Sequence, residues 1–250
     1  MKFNRLMAME TYIRKKHSVT NEELMSKFNI SVQTLRRDLK ELESRRVIDK
    51  VYGGVVVRQE KISTAELPAL SSRLQTNMEA KERIGMLASQ IIQEGDVVFV
   101  DSGSTAYRIV PYLTGIKVTV ISHSLRVMEA MVNMDNLTGI CLGGRLKRDT
   151  HTFQSDTSFY TYYYNKAFIS TVGLSVTKGL TNTDFDEGVI KRHMIEHAEE
   201  VWLLADHSKF GNIAFNHFAD FDGITGVITD EKPEDQYCQF FKNHKIKLVY

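Results

Sequence analysis

The sequence predicts an α/β protein in two parts: a small helical unit closed by a β-hairpin (residues 1–58), a linker (59–77), and a mainly parallel α/β domain (78–250). Three observations predict it. Apolar residues in the first 45 positions recur at the three-and-four spacing of helices with one buried face. From Met78 onward, helical runs alternate with short apolar runs such as Val97-Val98-Phe99-Val100, the pattern of strands covered on both faces by crossover helices. Charge is also divided: residues 1–60 hold thirteen Lys and Arg against eight Asp and Glu, a net of +5, and the remainder holds 19 against 23, a net of −4. The total of +1 conceals this asymmetry. At 250 residues and 42% hydrophobic content the chain has material for packed cores, which excludes a disordered protein.

A first helix is expected over 3–17, with Phe3, Leu6, Met7, Met9 and Ile13 apolar and Arg14-Lys15-Lys16 where cations complement the helix dipole. Thr20-Asn21-Glu22-Glu23 is a capping box that opens a second helix carrying Leu24, Met25 and Phe28, and Asn29-Ile30 is a tight connection. The third helix follows an N-cap at Ser31 and buries Val32, Leu35, Leu39 and Leu42. Its other side presents Gln33, Thr34, Arg36, Arg37 and Lys40, side chains that bond phosphate oxygens or base edges. Val47–Val57 then reads as two strands about Gly53-Gly54, a wing. Two short helices joined by a tight turn, the second basic, make a winged helix-turn-helix. The candidate DNA contacts are Ser31, Gln33, Thr34, Arg36, Arg37 and Lys40, with Lys50, Tyr52 and Gly53 on the wing.

The run Asn29–Leu42 followed by Val51-Tyr52-Gly53-Gly54-Val55 resembles the winged helix of the DeoR/GlpR family of bacterial sugar-catabolism regulators. Thr34-Leu35-Arg36-Arg37-Asp38-Leu39 matches that family's Thr-Ile/Val-Arg-Arg-Asp-Leu helix, with Leu in the β-branched place. Arg46 stands where Gly is frequent and Lys50 where Arg is, departures that bear on the half-site read.

Gln59 to Asn77 is polar, with Pro68 and a Ser71-Ser72 pair, and is expected to be a linker holding one short helical piece. Beyond it, helices are expected over Ala80–Gln93, Thr105–Leu113, Leu125–Asn133, Phe185–Glu199 and Glu234–Lys242. Strands are expected at 97–100, 118–121, 139–142, 167–172, 201–205, 224–229 and 246–249. In such a sheet, ligands bind beyond the carboxyl ends of the strands. Those ends carry small polar residues here. Asp101-Ser102-Gly103-Ser104-Thr105 follows the first strand, Ser122-His123-Ser124 the second and Gly143-Gly144 the third, while Lys209 lies just past a later strand. Backbone N–H groups, hydroxyls and one ammonium together suit a phosphate. These eleven residues are the candidate effector contacts.

This half resembles the DeoR-type sensor domain through Gly95-Asp96, Asp101–Thr105, Ser122–Leu125, Gly143-Gly144, Gly179-Leu180-Thr181, Leu204–Gly211 and Ile228-Thr229-Asp230. The resemblance implies a fold similar to ribose-5-phosphate isomerase and glucosamine-6-phosphate deaminase, and a phosphorylated sugar or sugar-derived effector. Ala106, His123, Gln154 and Asn165 depart from the usual pattern. The expected protein is a repressor rather than an enzyme, a homodimer or homotetramer on double-stranded operator DNA, without cofactor or metal. The alternative is a sugar-phosphate isomerase or deaminase in which Asp101 or Asp206 is general acid or base.

Other signals read as structural. His193-Met194-Ile195-Glu196-His197 fits an inverted zinc-peptidase motif but lacks a third ligand, and is expected to be a solvated helical face. Cys141 and Cys238 show no metal spacing and are expected to be free core thiols. Phe159, Tyr160, Tyr162, Tyr163 and Tyr164 are expected to pack or to form a subunit interface, and His151 and His207 to sit at the rim of the ligand loops. No basic leader with an apolar run and no stretch of eighteen apolar residues occurs, so a cytoplasmic protein with no membrane partner is expected.

Overall fold

The structure, a computed structural model, describes residues 2–44, 47–57, 62–154 and 162–250. Arg46, Arg58, Gln59, Phe159 and Tyr160 lie outside the described residues, as does the side chain of Phe3. The chain forms two compact units, Met1–Glu60 and Lys61–Tyr250. Among the described residues, no helix is long and apolar enough to cross a membrane.

The first unit runs α1 (Lys2–Lys16), β1 (Ser18–Thr20), α2 (Asn21–Phe28), α3 (Val32–Ser44), β2 (Ile48–Val51) and β3 (Gly54–Val57). His17 ends α1 with a left-handed step (φ 64°) and donates its N–H to the Ile13 carbonyl at 2.8 Å. The capping box forms as expected, Thr20 Oγ1 accepting the Glu23 N–H at 3.1 Å. Asn29, left-handed at φ 48°, closes α2 by donating its N–H to the Met25 and Ser26 carbonyls, which is what makes the turn into α3 short.

Leu35, Leu39 and Leu42 of α3 pack with Leu6, Met9 and Leu24 in one core. Burying each large apolar side chain contributes about 1.5–3 kcal/mol. Val32 does not join them. It is 49% exposed, because the first residue of α3 lies a full turn before Leu35, outside the packed core. Met7, also expected inside, is exposed.

β1 is unforeseen in the sequence and pairs antiparallel with β3, giving a sheet in the order β1-β3-β2. The β2–β3 turn centres on Tyr52-Gly53, while Gly54 begins β3. The two glycines serve different needs. Gly53 takes φ +77°, a conformation that favours glycine, whereas a Cβ on Gly54 would run into the Val19 carbonyl oxygen of β1.

The second unit runs β4 (Ile62–Ser63), α4 (Leu70–Gln75), α5 (Met78–Ser89), β5 (Val97–Val100), a 3₁₀ helix (Ala106–Tyr112), β6 (Val118–Ser122), α6 (Leu125–Met131), β7 (Leu137–Cys141), β8 (Arg145–Lys147) and β9 (Thr152–Gln154). It continues with β10 (Tyr164–Ser170), β11 (Gly173–Ser175), β12 (Gly179–Asn182), α7 (Phe185–His197), β13 (Ala198–Leu204), a 3₁₀ turn (His207–Lys209), β14 (Ile213–Ala214), β15 (Asn216–Ala219), β16 (Gly226–Ile228), α8 (Asp235–Asn243) and β17 (Lys247–Val249). Residues 62–77 differ from the expected linker. β4 pairs with β14, and α4 is held at its C-terminal end by the Lys81 ammonium, which donates to the Arg73 and Thr76 carbonyls at 2.6 and 2.7 Å.

Seven parallel strands form the main sheet in the order β17-β16-β13-β10-β5-β6-β7. Alternate residues of β5 enter two cores: Val98 and Val100 pack with Ile84 of α5, and Phe99 packs in the core that holds Tyr164 and Met194. That two-sided burial is why these strands read as continuous apolar runs. Trp202 of β13 is buried, its ring lying close beside Gly226 of β16. The chain adds β6 and β7 to one side of β5, then β10, β13, β16 and β17 to the other. The strand order therefore reverses between β5 and β10, and a sheet of this kind opens a crevice at that point.

Candidate DNA face and candidate effector site

On α3, Ser31, Gln33, Arg36, Arg37 and Lys40 are exposed. Arg36, Arg37 and Lys40 have no ion-pair partner among the described residues, so their charge is available to a ligand. Ser31 Oγ lies 3.1 Å from Thr34 Oγ1 and accepts the Thr34 N–H at 3.3 Å, which commits this pair to capping the helix. On the wing, Tyr52 and Gly53 are exposed, and Lys50 pairs with Glu43 of α3 at 2.5 Å. That partner offsets the Lys50 charge.

What fixes α3 is a residue the sequence did not single out for a role. Asp38 is 0% exposed, its carboxylate accepting Arg5 Nε at 2.7 Å and Nη2 at 3.1 Å. The fork of a guanidinium on a carboxylate fixes orientation as well as distance. It turns the Asp38 side of α3 toward α1 and leaves Arg36 and Arg37 facing outward.

In the second unit, Asp101 stands at the reversal between β5 and β10. Its Oδ2 accepts the Ser170 N–H at 2.8 Å and the Ser170 hydroxyl at 2.5 Å, and is also bonded to the Lys191 ammonium. Asp101 Oδ1 is buried without a hydrogen-bond partner among the described residues. Burial pushes the Asp101 carboxyl up, but the Lys191 ammonium and then the His123 ring outweigh it and hold it below the usual carboxylate range. Glu187, one turn before Lys191 on α7, accepts the Ser102 hydroxyl at 3.0 Å. Burial raises its carboxyl too, and His123 and Lys191 bring it down.

His123 stacks on Phe99 with near-parallel planes 5.8 Å apart at the centroids, and neither ring nitrogen has a hydrogen-bond partner among the described residues. Donor atoms of Asp101, His123 and Glu187 lie within 4.8 Å of one another, the group among the described residues that converges as a set of metal ligands would. The Lys191 ammonium already stands against two of them.

The structure therefore brings Asp101, Ser102 and His123 together, with Gly103 packed so closely on Ser170 that a Cβ there would strike its hydroxyl. Ser104, Thr105, Ser122 and Ser124 are buried alongside in the chain. Ser122 Oγ accepts the Ser124 N–H at 3.0 Å, and Ser124 caps α6. The helix expected over Thr105–Leu113 is instead 3₁₀, with Pro111 inside it and no side-chain cap at Thr105, so the dipole of a regular helix is missing behind the Asp101–Thr105 loop. Gly143 and Gly144 are exposed and lead into the β8–β9 hairpin. That hairpin folds back over β6, Phe153 donating its N–H to the His123 carbonyl at 2.8 Å, and reaches α7 through Lys147–Asp184 and Gln154–Asp186 pairs.

Lys209 lies 4.0 Å from the fully buried Asp206, whose other oxygen accepts Asn77 Nδ2 at 3.2 Å. Lys81 is nearby, its ammonium pushed down to about 8 by burial, with Asp206 acting the other way. Arg73 of α4 is the further cation that sequence reasoning missed: its guanidinium donates to the Pro68 carbonyl at 3.0 Å and feels the charges of Glu187 and Asp101. A separate cleft of about 560 Å³ opens beside the start of α5, lined by Asn77, Arg83, His207 and Asp230 among others. His207 bonds Asp230 there through Nδ1 at 2.6 Å, which raises its imidazole above the usual value.

Two of the signals read as structural are corrected in detail. Cys141 is free but exposed at the end of the edge strand β7. His193 is buried and stacks on His197 at 3.8 Å instead of facing solvent. Of the aromatic run expected to pack or to form an interface, Tyr164 packs in the core and Tyr163 is exposed.

The match to known proteins follows the same division of the chain. Residues 5–61 match a profile described as a DeoR-like helix-turn-helix domain, and residues 76–231 one described as the DeoR C terminal sensor domain. The chain belongs to the DeoR family. Among its DeoR-family relatives is the HTH-type transcriptional regulator IolR of Bacillus subtilis (strain 168), 37% identical over 99% of both chains. The HTH-type transcriptional repressor GlcR of the same organism is 30% identical over 98% of this chain and 95% of its own. The glycerol-3-phosphate regulon repressor of Escherichia coli (strain K12) is 28% identical over 94% of each. Ribose 5 phosphate isomerase A from Neisseria gonorrhoeae aligns in structure over 54% of each chain at 15% identity with a TM-score of 0.41, too loose a likeness to carry chemistry across. As a DeoR-family member, the protein is a DNA-binding transcriptional regulator with a sensor domain.

Proposed function

We propose that this regulator represses a sugar-catabolism operon, and that a phosphorylated sugar or sugar-derived metabolite bound at the β5, β6 and β10 tips controls its hold on the operator. One observation carries the effector half: one buried carboxylate oxygen of Asp101 and the His123 imidazole, without hydrogen-bond partners among the described residues, meet beside Glu187 at the point where the strand order reverses. Buried polar groups are nearly always satisfied, so a group of them left open is the signature of a site completed by a ligand. Arg73 feels the charges of Asp101 and Glu187 and offers positive charge for the phosphate, with Lys81 and Lys209 gathered about Asp206, and one relative is named for the glycerol-3-phosphate regulon.

The operator half rests on the exposed side of α3 where Arg36, Arg37 and Lys40 have no ion-pair partner among the described residues. Arg36, Arg37, Lys40 and Gln33 would enter the major groove, with Tyr52 and Gly53 of the wing beside the backbone. A single such helix makes few phosphate contacts, so the active species would be a homodimer or homotetramer on repeated half-sites. Effector would act by preferring a sensor arrangement in which the helices no longer reach both half-sites. Gel shift of the whole protein on its selected operator, with and without a panel of sugar phosphates, tests this. A panel that alters neither the gel-shift midpoint nor the melting temperature refutes the effector assignment. Turnover of ribose 5-phosphate or glucosamine 6-phosphate would instead favour the enzyme reading.

A further inference from the structure

We infer that α3 reads base identity with the two residues at its entry, Val32 packing on the 5-methyl group of a thymine and Gln33 bonding a neighbouring adenine. This deepens the operator reading and rests on it. The clue is an apolar side chain out of place. Val32 is 49% exposed on α3, whereas Leu35, Leu39 and Leu42 are buried and even Ile30, just before the helix, packs on their core. A single exposed valine needs no explanation by itself. Its neighbours supply one. At helical spacing Val32 lies one turn before Arg36, and Gln33 one turn before both Arg36 and Arg37, all of them exposed. The methyl groups therefore border the cationic side of the helix, where a polyanion would come to rest.

In a helix-turn-helix the N-terminal residues of the second helix are the ones that meet base edges. The major groove offers a valine one apolar feature, the thymine methyl group. The hydroxyls at this end of α3 are already engaged: Ser31 Oγ accepts the Thr34 N–H at 3.3 Å and lies 3.1 Å from Thr34 Oγ1. That leaves the Gln33 amide as the polar reader beside Val32. It carries a donor and an acceptor, the complement of adenine N7 and N6. Guanine would set two acceptors against it, and cytosine offers a donor alone.

The test uses duplexes that the whole protein selects from random DNA. Each thymine is replaced in turn by uracil, which lacks the methyl group, and each adenine by 7-deazaadenine, which lacks N7. In gel shifts, uracil at one position of each half-site should weaken binding about threefold or more, and 7-deazaadenine at a neighbouring position by about as much. Val32→Ala should erase the first effect and keep the second, and Gln33→Ala should do the reverse. Neither variant should alter the dependence of affinity on salt, because neither side chain meets a phosphate. Both residues are exposed, so the variants should melt with the wild type. A uracil scan without effect, an effect that survives Val32→Ala, or a loss in that variant equal on thymine and uracil duplexes overturns the Val32 assignment. The same outcomes with 7-deazaadenine overturn that of Gln33, and either leaves α3 standing as the groove reader. Failure to enrich any duplex overturns the operator reading as well.

Discussion

Arg5 and Asp38 divide their dependence unequally. Asp38 is wholly buried, whereas the Arg5 side chain keeps 28% of its surface in water. Arg5→Ala leaves a buried carboxylate without its guanidinium and should destabilise the unit more than Asp38→Asn, which leaves a guanidinium that can turn to solvent. Hydrogen exchange across α1 and α3 reads the difference, and equal protection in the two variants would contradict the pairing. Arg37→Ala, by contrast, removes an exposed side chain with no ion-pair partner among the described residues: exchange should stay unchanged while operator binding weakens by about 1–3 kcal/mol. The identity of Asp38 was plain within the Thr34–Leu39 run, but its task was not, since the partner lies 33 residues away in the chain. Lys191 was hidden for the same reason, being 90 residues from Asp101, and neither charge disturbs the periodicity of its helix. Loop residues such as Ser102 and His123 were legible because small polar types at strand ends need no distant partner to stand out.

At the scale of elements, the wing offers a sharp contrast. Gly53→Ala places a side chain in a left-handed residue with open space around it, at a cost of about 1 kcal/mol. Gly54→Ala meets the backbone of β1, so β3 must separate from β1 and the wing must move. The second substitution should therefore lower operator affinity more than the first, and a reversed order in gel shifts would show that the β1–β3 contact does not position the wing. Long helices and the strands buried on both faces were readable from their periods. β1 and β4 were not, because three and two residues complete no period and owe their form to β3 and β14. The 3₁₀ geometry of Ala106–Tyr112 had a visible cue in Pro111, which removes an N–H and disfavours a regular helix at that point.

For the molecule as a whole, acid sensitivity follows from the strand-tip cluster. Asp101 and Glu187 are held below their ordinary values of 3.8 and 4.5, so each binds fewer protons folded than unfolded. Their contribution to stability is complete above those ordinary values and is lost as pH falls toward the lower folded ones, beginning below about pH 5. Lys191→Met should shift the onset of acid unfolding to higher pH, and an unmoved onset would separate Lys191 from the stability of the cluster. On DNA, repeated half-sites impose a helical phase. Inserting about 5 base pairs between selected half-sites should abolish tight binding and about 10 should restore it, whereas indifference to spacing would indicate independent monomers.

The chain's single tryptophan, Trp202, is sealed inside the seven-stranded sheet. Excited selectively, that indole is a built-in fluorophore for the sensor unit alone, silent about the reader. Its emission colour and quenching by acrylamide can therefore follow melting or ligand uptake in one half of the native polypeptide without any attached dye.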